Sequence, residues 1–194
     1  MRYETRSRSR SRPAVALAAL AWLLLKADSP AARERPHFEA AAGHGVAAAA
    51  AAAWAPDAAL VYVENDEDVN ESGGAERWGY LFHSGALRAA RAYCVRDGRI
   101  LAAENLAMKY EAPPLPAGWI DSGAALRAAE DGGGREFRRR FRGAVRWMLL
   151  SRGAFQDRDP DRTTWTVIYD APRSPSLFVM VDAVEGKVRR TWKG

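Results

Sequence analysis

A chain of 194 residues, 48% of them hydrophobic, can build one domain or two small ones, and seven Trp, six Tyr and six Phe supply the anchors of a core. The formal net charge is +5, but the first dozen residues set Arg2, Arg6, Arg8, Arg10 and Arg12 against Glu4 alone. The remainder is close to neutral, so bulk charge does not argue for nucleic acid. The single cysteine, Cys94, excludes an intrachain disulfide, and its apolar neighbours mark it as a buried structural thiol.

Met1–Arg12 is basic and rich in Ser and Arg, Pro13–Leu25 carries no charge, and Lys26–Pro30 ends the run. A positive segment followed by a short apolar one is the order of a secretory signal, and the run falls short of the ~20 apolar residues a spanning helix needs. Residues 1–27 are therefore expected to be a signal peptide or a signal anchor. Cleavage after Ala27 and an uncleaved anchor both stay open. No cysteine follows the apolar run, which argues against a lipoprotein, and adjacent arginines are missing, which argues against a twin-arginine signal. A disordered Arg-Ser arm for nucleic acid is the competing reading, and the apolar run directly after it disfavours that. Residues 28–36, polar and bounded by proline, read as a linker.

Val46–Trp54 is alanine-dominated and predicts a helix ending ahead of Pro56, lying close against a sheet because alanine is small. Gly43 and Gly45 interrupt the run before it. His37 and His44 flank it without partners at metal-ligand spacing and read as surface histidines. Ala58–Val63 predicts a strand, and Glu64–Glu76 an exposed acidic loop that lacks the fixed order of a calcium loop. Trp78, Tyr80 and Phe82 alternate on one strand face. Asp97-Gly98 is a hairpin turn, after which Ile100–Leu106 is a strand or a short helix.

Glu111–Gly118 holds three prolines and predicts a boundary. A helix capped by Asp121 or Ser122 follows and ends at Asp131–Gly134. Arg135–Arg142 then carries Phe137 and Phe141 four apart with arginines between them, an apolar and a basic face of one short helix. Val145–Leu150 is a strand and Ser151–Arg162 a charged loop, in which Asp157, Asp159 and Asp161 alternate with arginines and are expected to be neutralised by them. Trp165–Asp170 and Ser176–Asp182 form a hairpin, with a turn at Glu185-Gly186 and a return through Lys187-Val188.

The two halves follow one order: helix, strand, polar loop, a strand opened by tryptophan, and a strand leading to a glycine turn. Val46–Trp54 answers to Ser122–Glu130, Ala59–Val63 to Val145–Leu150, and Trp78–Tyr80 to Trp165–Tyr169. The second half resembles the PepSY and PepSY-like family of small extracytoplasmic domains. The residues carrying the likeness are Asp121-Ser122, Gly132–Gly134 with Phe137, Trp165–Tyr169, and Leu177–Val188 with its Asp182-Ala183 and Gly186-Lys187-Val188 ending. It covers Trp119–Trp192, and the first half as a looser copy. The resemblance implies a helix packed on a short antiparallel sheet, export, and a binding, inhibitory or regulatory role toward peptidases or other envelope proteins. It carries over no catalytic residue. The Arg152–Arg162 loop and the Arg135–Arg142 segment depart from the family pattern.

The expected fold is thus α+β: two tandem helix-plus-antiparallel-sheet repeats, 37–110 and 119–194, joined by a Pro-rich connection at 111–118 and preceded by a signal or anchor. Catalytic, cofactor-binding and metal residues are not expected. The three histidines all precede Ser84, and Gly132–Gly134 follows a helix, with no Gly-Lys-Ser/Thr after it. The candidate partner or anion surface is Arg135, Arg138, Arg139, Arg140 and Arg142, whose plain alternative is a solvated helix side partly paired with Asp131 or Glu136. The expected function is a non-enzymatic exported binding or regulatory module in the periplasm or secreted. Its partner is an unknown envelope protein, with weak contact to an anionic membrane surface and no nucleic acid. Two alternatives are a small-ligand-binding accessory domain of an envelope enzyme and a polyanion or nucleic-acid binder using the Arg-rich segments.

Overall fold

The computed structural model describes residues 36–106, 112–153, 159 and 161–194. The expected signal or anchor at 1–27 and nearly all of the 28–36 linker lie outside them. Eight strands form one antiparallel sheet: β1 (Ala59–Asn65), β2 (Trp78–Ser84), β3 (Ala89–Arg96), β4 (Arg99–Asn105), β5 (Ala144–Arg152), β6 (Thr163–Ala171), β7 (Ser174–Asp182) and β8 (Val188–Lys193). Their order is β4-β3-β2-β1-β5-β6-β7-β8, so the sequence runs outward from the β1–β5 junction in both directions. The expectation of a short sheet in each half is corrected here. Val63 pairs with Leu150 and Glu64 with Leu149, and this contact fuses the halves into one sheet.

Three helices pack on one face of that sheet: α1 (Ala40–Trp54), α2 (Ser122–Ala129) and α3 (Arg135–Phe141). Helix α1 begins six residues before the predicted Val46 and runs through Gly43 and Gly45 without a break. The reason is close approach. Its buried stripe is Ala40, Gly43, Ala47 and Ala51, and a Cβ at Gly43 would collide with the Tyr80 hydroxyl, which donates to the Ala40 carbonyl at 2.7 Å. A stripe this small lets the helix axis sit low over the aromatic side chains of β2 and β3.

The predicted alternation holds: Trp78, Tyr80 and Phe82 all point into the core, paired across β3 with Val95, Tyr93 and Arg91. Asp97 (φ 49°) and Gly98 (φ 66°) both adopt left-handed backbone at the β3–β4 turn, as a two-residue hairpin loop of the twist-matched kind requires. Residues 99–105 are a strand, which settles the strand-or-helix ambiguity there. Cys94 is a buried free thiol, and burial pushes its pKa up to about 12.

The core centres on a pair of tryptophans. Trp78 and Trp165 meet edge to face with ring centroids 6.1 Å apart, and Trp119 meets Trp165 in the same way at 6.0 Å. Each of the first two donates its indole N–H to the carbonyl two residues ahead of a helix, Trp78 to Phe38 at 2.7 Å and Trp165 to Ile120 at 2.8 Å. Helices α1 and α2 start beside each other and cap one another. The Glu39 carboxylate accepts from Gly123 N–H at 3.1 Å, while Asp121 accepts from Ser122 N–H at 2.8 Å and from Ala41 N–H at 2.9 Å. The Ser122 hydroxyl, fully buried, accepts from Ala40 N–H at 3.1 Å and donates to the Gly73 carbonyl at 2.7 Å. The first-turn amides of Ala40, Ala41 and Gly123, which a helix leaves without intrahelical partners, are thus answered from the other half of the chain.

Candidate functional site

Helix α2 passes into α3 through a wide turn at Glu130–Gly134, in which Gly133 takes φ 123°, a conformation closed to residues with a Cβ. The expected helix end at Asp131–Gly134 is therefore a kink that re-aims the chain. It sets α3 down beside the last strand. The Thr191 hydroxyl of β8 donates to the Gly132 carbonyl at 3.2 Å, and the Lys193 ammonium lies 5.1 Å from the centre of the Phe141 ring. Phe137 fills the core under α3, tilted against Phe141 at 5.1 Å and Tyr169 at 6.3 Å. Arg142 ends the helix in the left-handed region at φ 54°.

The five predicted arginines divide by what they touch. Arg138 donates to the Glu130 carboxylate at 2.8 Å, a side chain only 10% exposed, and this bond holds the guanidinium more firmly protonated than usual. Arg138 is a tie between α3 and the kink, not a free surface charge. Arg135 pairs with Asp131 at 2.8 Å, but both ends are exposed, so the pair contributes little to stability. Arg139 borders an open depression of about 350 Å³ together with Glu130, Asp131, Gly133, Arg135 and Glu136. Arg140 stands 5.2 Å over the Phe141 ring, and Arg142 is exposed at the helix end.

Sequence reasoning missed the other half of this surface. The predicted return stops at Val188, whereas β8 continues to Lys193, setting Lys193 against Phe141 of α3 and adding Arg189 and Arg190 to the same edge strand. Arg190 lies 4.6 Å over the Trp192 ring, which stacks on Phe178 at 5.1 Å. The available signal was the density of cations, Lys187, Arg189, Arg190 and Lys193 within seven residues, together with the strand-forming Val188, Thr191 and Trp192. Segments 135–142 and 187–193 together hold nine Arg or Lys against Glu136 alone.

The remaining candidates resolve differently. The acidic loop is tied down and not merely solvated: Arg77 reaches Asp66 at 3.3 Å and Glu67 at 2.6 Å. Among the described residues no group of three or more His, Cys, Asp or Glu could hold a metal. Of the two histidines read as surface residues, His37 is exposed. His44 is instead packed among rings, parallel to Phe82 at 6.3 Å and edge to face with Trp119 at 5.9 Å, and burial lowers its pKa. In the charged loop Arg162 bridges Asp159 at 3.1 Å and the buried Asp182 at 2.6 Å, and Arg152 bonds Asp161 at 3.0 Å, so the charges neutralise each other as expected. Asp157 lies outside the described residues.

On the sheet face away from the helices, Glu64 sits on β1 between Gly79 and Leu149. Burial pushes its pKa up to about 7 against the opposing bond from the Tyr62 hydroxyl at 2.9 Å, with nearby Asp66 adding to the rise. The folded protein therefore holds the Glu64 proton more tightly than the unfolded chain, whose carboxyl has the ordinary value of 4.5. That contribution to stability is whole below pH 4.5 and is lost as pH rises through about 7. Urea denaturation at stepped pH should show the native chain losing stability over this window, and Glu64→Gln should flatten that loss. A native profile unchanged by the substitution would contradict the assignment.

Among the described residues, no helix is long and apolar enough to cross a membrane. No family model matches the sequence, and no curated protein is significantly similar to it. Among solved structures, the chain is similar to a protein of Clostridium difficile 630 described as a "putative lipoprotein", with TM-score 0.52 and 14% identity over 78% of this chain and 92% of that one. The YpeB C-terminal domain of Bacillus megaterium matches with TM-score 0.27 and 10% identity over 78% of this chain and 63% of that one, a score that says nothing about this fold. What the comparisons establish is a shared α+β fold with the first of these.

Proposed function

We propose that this chain is an exported, non-enzymatic module made of two PepSY-like repeats that binds and regulates another envelope protein. The observation that carries the reading is the arrangement about the β1–β5 junction. The first half contributes α1 and the second α2 and α3, each followed by four strands laid outward in chain order, and each half's tryptophan bonds the carbonyl two residues ahead of its first helix. Duplication of one small unit is the economical source of such a pattern. Export is supported by the basic-then-apolar order of residues 1–25 and by the fold shared with a protein described as a "putative lipoprotein". The binding surface of this reading is the α3–β8 side, where cations crowd beyond what the local carboxylates pair.

Alkaline phosphatase fused after Ala27 in a bacterial host reports on export, because the enzyme is active only beyond the inner membrane. An active fusion is the expected result. A silent fusion, with the fusion protein present in the cytoplasm, would overturn the reading.

A further inference from the structure

We propose that the free edge of β8 accepts an extended acidic peptide as a ninth strand, with Arg140 and Lys193 supplying cations on one face and Arg190 on the other. This names the partner class for the binding reading above and rests on it.

Among the described residues, the backbone of β8 pairs on one side only. Ser176 and Gly194 exchange both of their N–H to C=O bonds, at 3.0 and 3.1 Å. In an antiparallel pair such doubly bonded positions recur every second residue, so Phe178–Trp192 and Met180–Arg190 are of the same kind. Leu177–Lys193 and Val179–Thr191 are then the alternate pairs, whose N–H and C=O groups point away from the partner strand. The amides and carbonyls of Thr191 and Lys193 therefore point out of the sheet, and β8 is its last strand.

The side chains around that edge select the occupant. On the helix side, Arg140 and Lys193 both rest on the Phe141 ring, at 5.2 and 5.1 Å. On the other side, Arg190 rests on Trp192 at 4.6 Å. Aromatic faces hold these cations in place, so a ligand orders them at less entropic cost. Arg140, Arg189, Arg190 and Lys193 have no carboxylate partner among the described residues. An added strand alternates its side chains between the two faces, and acidic residues on both faces would meet a cation on each. Charges on an edge strand also serve to repel unwanted pairing. Those charges would repel a basic strand, disfavour a neutral one through the cost of desolvating them, and attract an acidic one.

The test is fluorescence anisotropy with a labelled peptide of three Glu-Glu-Val-Val repeats added to the full chain, against the same peptide N-methylated throughout and a Lys-Lys-Val-Val version. The acidic peptide should bind, and methylation, which removes every backbone donor and keeps every charge, should weaken binding by at least about tenfold. Thr191→Pro removes an outward donor without touching the β7 ladder and should weaken it similarly. The triple variant Arg140→Gln, Arg190→Gln, Lys193→Gln should weaken it by about tenfold or more at low salt and flatten its salt dependence. Equal binding of the methylated peptide overturns the proposal and leaves charge attraction alone. No binding of the acidic peptide overturns it as well, and so does binding that survives Thr191→Pro. Anionic phosphatidylglycerol vesicles that bind the chain and displace the methylated and unmethylated peptides equally would point to a lipid surface instead. Each of these failures leaves the export reading standing if the phosphatase fusion is active.

Discussion

Trp165→Ala should destabilise the chain by about 3–5 kcal/mol, the range for removing a large buried aromatic side chain. Trp165 is fully buried and sits between Trp78 and Trp119, each ring meeting it edge to face. Truncation removes both aromatic contacts and opens a cavity where α1, α2 and the middle of the sheet converge. It also leaves the Ile120 carbonyl, just ahead of α2, without its indole donor. Trp165→Phe should cost less, because it keeps a ring in the cavity and loses chiefly the hydrogen bond. Chemical denaturation followed by circular dichroism measures both. An alanine variant within about 1 kcal/mol of the native chain would mean that the tryptophan pair does not anchor the core.

The second large effect lies where the helix starts meet. Ser122→Ala should cost about 2 kcal/mol or more, since it strands both the Ala40 N–H and the Gly73 carbonyl in a buried place at about 1–3 kcal/mol each. The joint is a tight one, because a Cβ at Gly73 would press on the backbone of Gly123. Water has little room to substitute. The loss should appear as a shift of the denaturation midpoint with an unchanged slope, as for any native-state contact that does not alter the surface exposed on unfolding. A neutral substitution would show that the two helices start independently. Asp121→Ala adds a check from the same joint, as its carboxylate serves one amide from each helix.

How much of this was readable from the residues depends on distance along the chain. The alternation Trp78, Tyr80, Phe82 marks a buried sheet face, the Asp97-Gly98 pair marks a hairpin, and Asp121 marks a helix start, each from a handful of neighbours. The structure contains all three. The joining of β1 to β5 pairs Val63 with Leu150, far apart in the chain, and nothing local specifies it. Continuity of α1 through Gly43 depends on the Tyr80 hydroxyl needing the space, which is a tertiary fact overriding a local propensity.

The basic surface shows the same divide. The arginines of α3 were legible because phenylalanines four apart set the helix face. Their separation into tied and free groups was not, because the Glu130 carboxylate that holds Arg138 reaches it only through the kink at Gly133. Strand β8 was truncated in the sequence reading for a related reason. An edge strand covered with charge has no buried alternation to announce it, and all of its residues but Trp192 are exposed.

Amide hydrogen exchange read by NMR at Thr191 and Lys193, with and without the acidic peptide, goes most directly to the claim that this module works through one open strand. Both amides should exchange rapidly in the free chain, faster than those of Arg190 and Trp192 beside them, and become strongly protected when the peptide is present. Protection already complete without peptide, or no change on adding it at saturating concentration, would show that the edge is not where this protein meets its partner.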